Sequence, residues 1–218
     1  MDSMELNKSH SFFLPRLYIL SSGESEKDKG ALLLEQLKRL PYDRPCMVQI
    51  REKSLGMQEL LALAVKAASL ALPAGTLLLT NKHKDIALAA GLHGVHLPEI
   101  ESLAERMTDV TSGLLKGCSV HSLSAAKIAE NAGADYLLYG PVFDTPSKRI
   151  FGLPQGTENL QSICSATTLP VYAIGGITHN NVAECLDAGA YGIAGISAFS
   201  EYSQLAENIE HFYRVLSQ

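Results

Sequence analysis

The chain has 218 residues, a net charge of −5 and an apolar fraction of 46%. This is enough apolar material to bury a large core in one domain, and it excludes a mainly disordered chain. The basic residues are scattered, which excludes the clustered cationic face that nucleic acid demands. No apolar run approaches the roughly 20 residues needed to cross a bilayer. Residues 1–12 read as a polar extension without a signal-peptide apolar region, so the expectation is a soluble cytoplasmic protein with one domain over 13–218. Cys46, Cys118, Cys164 and Cys185 form no C-x-x-C pair and read as small buried residues of a reducing compartment, not as a zinc site or a redox dithiol.

In chain order, short apolar runs alternate with segments of helical spacing. A strand over Arg16–Leu20 precedes a helix over Lys29–Leu40, and a strand over Met47–Arg51 precedes a helix over Met57–Leu72. The pattern continues with Thr76–Thr80 and Lys84–Ala90, Gly94–Leu97 and Ser102–Thr108, then Leu115–Val120 and Ser124–Ala132. It closes with Tyr136–Tyr139 and Glu158–Ser165, Val171–Ile174 and Asn180–Ala188, and Gly192–Gly195 and Gln204–Ser217. Several strands are apolar at successive positions, as parallel strands covered on both faces are. Gly91, Gly133 and Gly189 each follow a helical run, where a left-handed residue ends the helix. Eight such units in series predict a closed single-domain (β/α)₈ barrel of TIM type. No G-x-G-x-x-G follows the first strand, which argues against a doubly wound sheet.

Barrel chemistry lies at the C-terminal ends of the strands. Gly175 and Gly176 end the seventh strand, and Gly195, Ile196 and Ser197 end the eighth. Glycine-containing turns after these two strands form a phosphate cup in many barrels. The second strand ends in Gln49, Arg51 and Lys53 at alternate positions, so all three are expected to point one way and to face an anion. Asn81 ends the third strand, and Ser119, His121 and Ser122 lie at the end of the fifth. A long loop, GPVFDTPSKRIFGLPQG, follows the sixth strand; loops of this length in compact domains are usually functional or disordered. His93 and His96 straddle the fourth strand at a spacing that could suggest a metal, but no third ligand accompanies them. His179 is expected to cap the seventh helix.

The blocks VQIREK, LLLTNKHKDIALAAGLHGVHL, GCSVHSLSAAKIAENAGADYLLYGPVFDTPSK and LPVYAIGGITHNNVAECLDAGAYGIAGIS occur in that order over nearly the whole chain. Together they resemble the signature blocks of the thiamin phosphate synthase/TenI superfamily. In the synthase branch the resemblance implies that Gln49, Arg51, Lys53, Asn81, Ser119 and Lys148 face a pyrimidine diphosphate. Thr145, Pro146, Ser147, Gly175, Gly176, Ile196 and Ser197 would then face a thiazole phosphate. That branch uses two acidic residues for Mg²⁺, and here those positions hold Lys82 and Ile100, neither of which can ligate it. Glu99 or Glu101 could shift into place, but neither replaces the acid missing at Lys82.

At these points the chain is more similar to the TenI-type thiazole tautomerases. That branch implies His121 as the acid–base residue that aromatises a carboxythiazole phosphate, with no metal or cofactor. An imidazole, with an unperturbed pKa of about 6.5, can both take and return a proton near neutral pH. Asp144 is the nearest candidate to relay that proton. A thiamin phosphate synthase, with Mg²⁺ as its cofactor, is the alternative. A non-catalytic thiazole- or thiamin-phosphate-binding regulator is the alternative from another class. The expected partner is a small phosphorylated thiazole, not nucleic acid or membrane, and a homo-oligomer is compatible with the sequence.

Overall fold

The computed structural model describes residues 13–23, 28, 30–99, 103–110, 113–145, 149 and 153–217. The polar extension expected over 1–12 lies outside them. Eight parallel strands close into a barrel in sequence order: β1 (Leu17–Leu20), β2 (Met47–Ile50), β3 (Leu77–Asn81), β4 (Gly94–Leu97), β5 (Leu115–Val120), β6 (Tyr136–Tyr139), β7 (Val171–Ile174) and β8 (Gly192–Gly195). The helices between and after them are α1 (Ala31–Lys38), α2 (Met57–Ala68), α3 (Lys84–Ala90), α4 (Leu103–Asp109), α5 (Leu123–Asn131), α6 (Gly156–Ala166), α7 (Val182–Asp187) and α8 (Leu205–Leu216). Closure is made by β1 against β8, with Leu17 opposite Ile193 and Ile19 opposite Gly195. Among the described residues, no helix is long and apolar enough to cross a membrane.

The helices form where a single apolar stripe can be buried. On α8, Leu205, Ile209, Phe212 and Leu216 are buried and recur at helical spacing, while Arg214 lies in the last turn, where a cation suits the helix dipole. Gly91, Gly133 and Gly189 all have positive φ, as a glycine that ends a helix requires. One residue departs from this rule. Lys82 has φ 71 although it is not glycine, and its N–H donates to the His96 carbonyl at 2.9 Å. Backbone pairing to β4 holds it in that conformation.

Two apolar layers result. The larger lies between the strands and the surrounding helices, and the smaller fills the inside of the barrel. The inner one is unusual in being built on tyrosine. The rings of Tyr18, Tyr136 and Tyr172 meet edge to face at centroid separations of 5.5–5.7 Å. Each ring needs space on a neighbouring strand. Gly117 supplies it for Tyr136, because a Cβ at Gly117 would overlap the Tyr136 ring and hydroxyl. Gly117→Ala is therefore expected to destabilise the barrel by about 2 kcal/mol, lowering Tm by roughly 4–8 °C in a thermal melt.

Candidate active site

A cavity of about 620 Å³ opens at the C-terminal ends of the strands. Eight of the expected catalytic and ligand-binding residues line it: Gln49, Arg51, Lys53, Asn81, Ser119, His121, Gly175 and Ile196. Gly176, Ser197, Thr145 and Asp144 do not line it. Pro146, Ser147, Lys148 and Ile100 lie outside the described residues. The cavity is also lined by Lys82, His83, His96 and Glu99, so several of the lining groups are cationic. A concave wall with this charge attracts anions.

On the β2 side, Gln49 is the floor: it is 1% exposed and its Nε2 donates to the Tyr18 hydroxyl. Arg51 and Lys53 lie beyond the strand, which ends at Ile50, so the expected alternation is carried by the loop. Arg51 is placed by its own N–H, which donates to Ser21 Oγ at 2.8 Å. Partial burial holds the Arg51 guanidinium below its ordinary pKa, with the Glu52 charge opposing the shift. Burial likewise lowers the pKa of His83, and the positive charges of Lys82 and Arg106 add to the effect.

His121 sits between the last residue of β5, Val120, and Ser122, the N-cap of α5. Ser122 Oγ accepts from the Ala125 N–H at 3.1 Å, so its role is to start the helix. This cap fixes the chain just after His121. A carboxylate from the end of β4 completes the arrangement. Glu99 Oε2 accepts from the His121 backbone N–H at 2.6 Å and lies 2.9 Å from His121 Nδ1. With Nδ1–H donating to the carboxylate, Nε2 remains as the basic nitrogen. The sequence reading considered Glu99 only as a displaced metal ligand and placed Asp144 near the proton. In the structure Asp144 is bound by Arg149 at 3.0 Å within the β6–α6 loop, and the carboxylate at His121 is Glu99. That pairing joins two strand ends, so spacing within one segment could not reveal it.

His93 and His96 do not converge. His93 Nδ1 accepts from the Leu78 N–H at 3.0 Å, while His96 points into the barrel, 2% exposed, between Tyr136 and Ser119. His179 lies ahead of the N-cap of α7, Asn181, and packs on Phe212 with ring centroids 4.4 Å apart, so it does not cap the helix.

The turns after β7 and β8, expected to form a phosphate cup, are packed against neighbouring segments. Gly175 and Gly176 both have positive φ, and a Cβ on either would strike the β6–α6 loop, at Pro141 and at Asp144 and Phe143 respectively. These glycines are needed because that loop crosses them closely. Val142 and Phe143 donate N–H bonds to the Ile174 and Gly175 carbonyls at 2.9 and 3.0 Å. The helix after β7 does not begin at the glycines; Asn181 bridges the gap by donating from Nδ2 to the Gly176 carbonyl at 3.0 Å. After β8 a short 3₁₀ turn, Ser197–Phe199, precedes α8.

Few oxygen ligands for Mg²⁺ are described at the mouth. This ion prefers oxygen ligands, and the carboxylates lining the cavity are Glu52, 5% exposed, and Glu99, which already serves His121. Among the described residues no group of three or more His, Cys, Asp or Glu could hold a metal.

Burial inside the barrel depresses His96 to a pKa of about 3, with the Arg51 charge adding to the effect. Folded His96 thus stays neutral while the unfolded chain takes up a proton below its ordinary value. This contribution to stability is full above about pH 6.5 and declines as the pH falls toward 3. In denaturant titrations, stability between pH 6 and 4 is expected to fall more steeply for the native chain than for His96→Gln, by on the order of 1 kcal/mol per pH unit.

Comparison with known proteins gives a consistent family. The family model described as thiamine monophosphate synthase (TMP-TENI) matches residues 17–199. A putative thiamine-phosphate synthase 2 of Aquifex aeolicus is 41% identical over 188 residues, covering 86% of this chain and 99% of that protein. The thiamine-phosphate synthase of Methanoculleus marisnigri is 42% identical over 153 residues, covering 70% and 72% respectively. Among solved structures, a thiamine phosphate pyrophosphorylase from Pyrococcus furiosus superposes with a TM-score of 0.76 at 28% identity, covering 93% of this chain and 96% of that one. The barrel, its cationic mouth and the motif blocks at the strand ends agree with these matches, and the chain belongs to the thiamine monophosphate synthase (TMP-TENI) family.

Proposed function

We propose that the chain is a metal-independent thiazole tautomerase acting on a phosphorylated carboxythiazole in the mouth of the barrel. The observation that carries this reading is the His121–Glu99 pair at the cavity wall, with Nδ1 and Oε2 2.9 Å apart. In such a pair the carboxylate orients the imidazole and stabilises it when it takes up a second proton. His121 Nε2 would remove a proton from the saturated ring carbon. The electron pair moves through the ring to the exocyclic double bond, and the imidazolium returns the proton to the exocyclic carbon. The ring becomes aromatic, no atom is gained or lost, and no electron acceptor is needed. The phosphate would lie against the turns at Gly175 and Ile196, with Arg51, Lys53 and Lys82 adding positive potential across the cavity.

The names of the relatives favour a second reading, a thiamin phosphate synthase. There the same cations would hold a pyrimidine diphosphate beside the thiazole phosphate. The synthase branch's first acidic position holds Lys82 here and Glu99 is hydrogen-bonded to His121, which is why the tautomerase reading comes first. A regulator that binds the phosphorylated thiazole without turnover is the third.

One set of assays separates them. Purified protein given the exocyclic carboxythiazole phosphate is expected to convert it to the aromatic tautomer with Mg²⁺ chelated. Formation of thiamin phosphate from thiazole phosphate, pyrimidine diphosphate and Mg²⁺, without tautomer conversion, replaces the first reading with the second. Tight binding with no turnover of either kind leaves the third. His121→Asn is expected to slow tautomer conversion by roughly 10²–10⁴-fold. Glu99→Gln, which removes only the counter-charge, is expected to slow it by about 10–100-fold.

A further inference from the structure

Behind the turn that follows β8, a row of carbonyls is held by side chains that take no part in the proposed reaction. Every carbonyl from Ile196 to Ser200 has a donor. The turn itself supplies the first two: the Phe199 N–H donates to the Ile196 carbonyl at 3.0 Å, and Ser200 Oγ donates to that of Ser197 at 2.9 Å. The next three are met from two other elements. Asn208 Nδ2, on α8, donates to the Ala198 carbonyl at 2.8 Å. Gln36 Nε2, on α1, donates to the Phe199 and Ser200 carbonyls at 2.9 and 3.3 Å.

Packing alone does not call for an amide at Gln36. It is 9% exposed and stands with Leu33 and Leu37 on the buried side of α1. A buried amide costs free energy there unless its hydrogens are bonded, and a methionine would fill the same space without that demand. Neither Gln36 nor Asn208 lines the cavity, but the segment they hold reaches it, since Ile196 precedes the turn and lines the mouth. The Phe199 ring, 1% exposed, lies so close to Gly195 that a Cβ there would strike it. Phe199 packs in turn on Phe212, with ring centroids 5.5 Å apart, and Phe212 carries His179 from the turn after β7 at 4.4 Å. Asn208 and Phe212, one helical turn apart on α8, thus reach both turns between them.

We propose that Gln36 and Asn208 are positioning residues for the ligand's phosphate: by engaging the carbonyls at the far end of the Ser197–Phe199 turn, they hold the backbone at Gly195 and Ile196 still, as a preformed wall for the phosphate. A wall already fixed by α1 and α8 needs no ordering when the ligand arrives, so none of the binding energy is lost to that step. The inference rests on where the proposed function places the phosphate, but not on the reaction, because its test reads binding without turnover.

That test compares hydroxyethylthiazole phosphate with hydroxyethylthiazole, the alcohol without its phosphate, by isothermal titration calorimetry. The full chain is used, native and as Gln36→Met and Asn208→Leu; both substitutions roughly keep shape and charge and remove the donor. The native chain is expected to bind the phosphate at least about tenfold more tightly than the alcohol. Each variant is expected to lose about tenfold in affinity for the phosphate while keeping its affinity for the alcohol. This preference separates positioning from general support of the fold, because a loosened barrel weakens both ligands alike. Parallel weakening of the two ligands, or an unchanged preference in a folded variant, overturns the positioning role and leaves the thiazole-phosphate reading standing. Equal binding of both ligands by the native chain overturns the placement of the phosphate and this inference with it. Should Gln36→Met not fold, Asn208→Leu, at the half-buried amide, decides the question alone.

Discussion

A closed barrel of eight parallel strands has to fill its own interior, and here much of that interior is tyrosine. Tyr18, Tyr136 and Tyr172 supply ring volume, and each brings a hydroxyl that cannot be left unbonded in a dry core. Tyr172 discharges the requirement away from the mouth, donating to the Pro15 carbonyl at 2.6 Å. Tyr18 and Tyr136 discharge it upward, through Gln49 and His96, to Ser119. Packing and site are thus one system. The rings that fill the barrel also carry the hydroxyls that bond the cavity floor from beneath, and Gly117 is part of that arrangement because it admits the Tyr136 ring.

Above that floor the mouth divides its chemistry by strand. The ends of β2 and β3 bring Arg51, Lys53 and Lys82; the ends of β4 and β5 bring Glu99 and His121; the ends of β7 and β8 bring backbone turns with little side chain. In the proposed reaction a phosphorylated ligand would be anchored on one side while His121 worked on the other, so that binding energy at the phosphate would position the reacting atoms. The β6–α6 loop ties these parts together. Its first residues bond to the β7 turn, and its last ones return to the start, with Gln155 and Gly156 donating N–H bonds to the Pro141 and Val142 carbonyls at 2.8 and 3.0 Å. The turn at Gly175 is shaped by that crossing.

Much of this was legible in the chain itself. The apolar runs gave all eight strands to within a residue or two, because parallel strands buried on both faces leave a continuous apolar signature, and the glycines that end helices marked where the fourth, sixth and eighth runs begin. The place of His121 at the mouth was legible because it directly follows the fifth strand at the face where barrel chemistry occurs, and the motif blocks pointed to the family. Asp144, chosen for its nearness in sequence to the candidate loop, turned out to be engaged by Arg149. His96, set beside His93 as a doubtful metal pair, turned out to belong to the interior.

Sequence alone therefore determined the architecture, through periodicity and local order, the family, through the order of its motif blocks, and part of the set of residues that strand ends deliver to the mouth. Tertiary structure decided which of those residues meet. The Glu99–His121 pair and the path from Gln49 through Tyr18, Tyr136 and His96 to Ser119 each join side chains from separate strands. Their contacts depend on register and on barrel closure, which bring together residues up to 118 positions apart, as in Tyr18 and Tyr136, and no pattern within one segment records them.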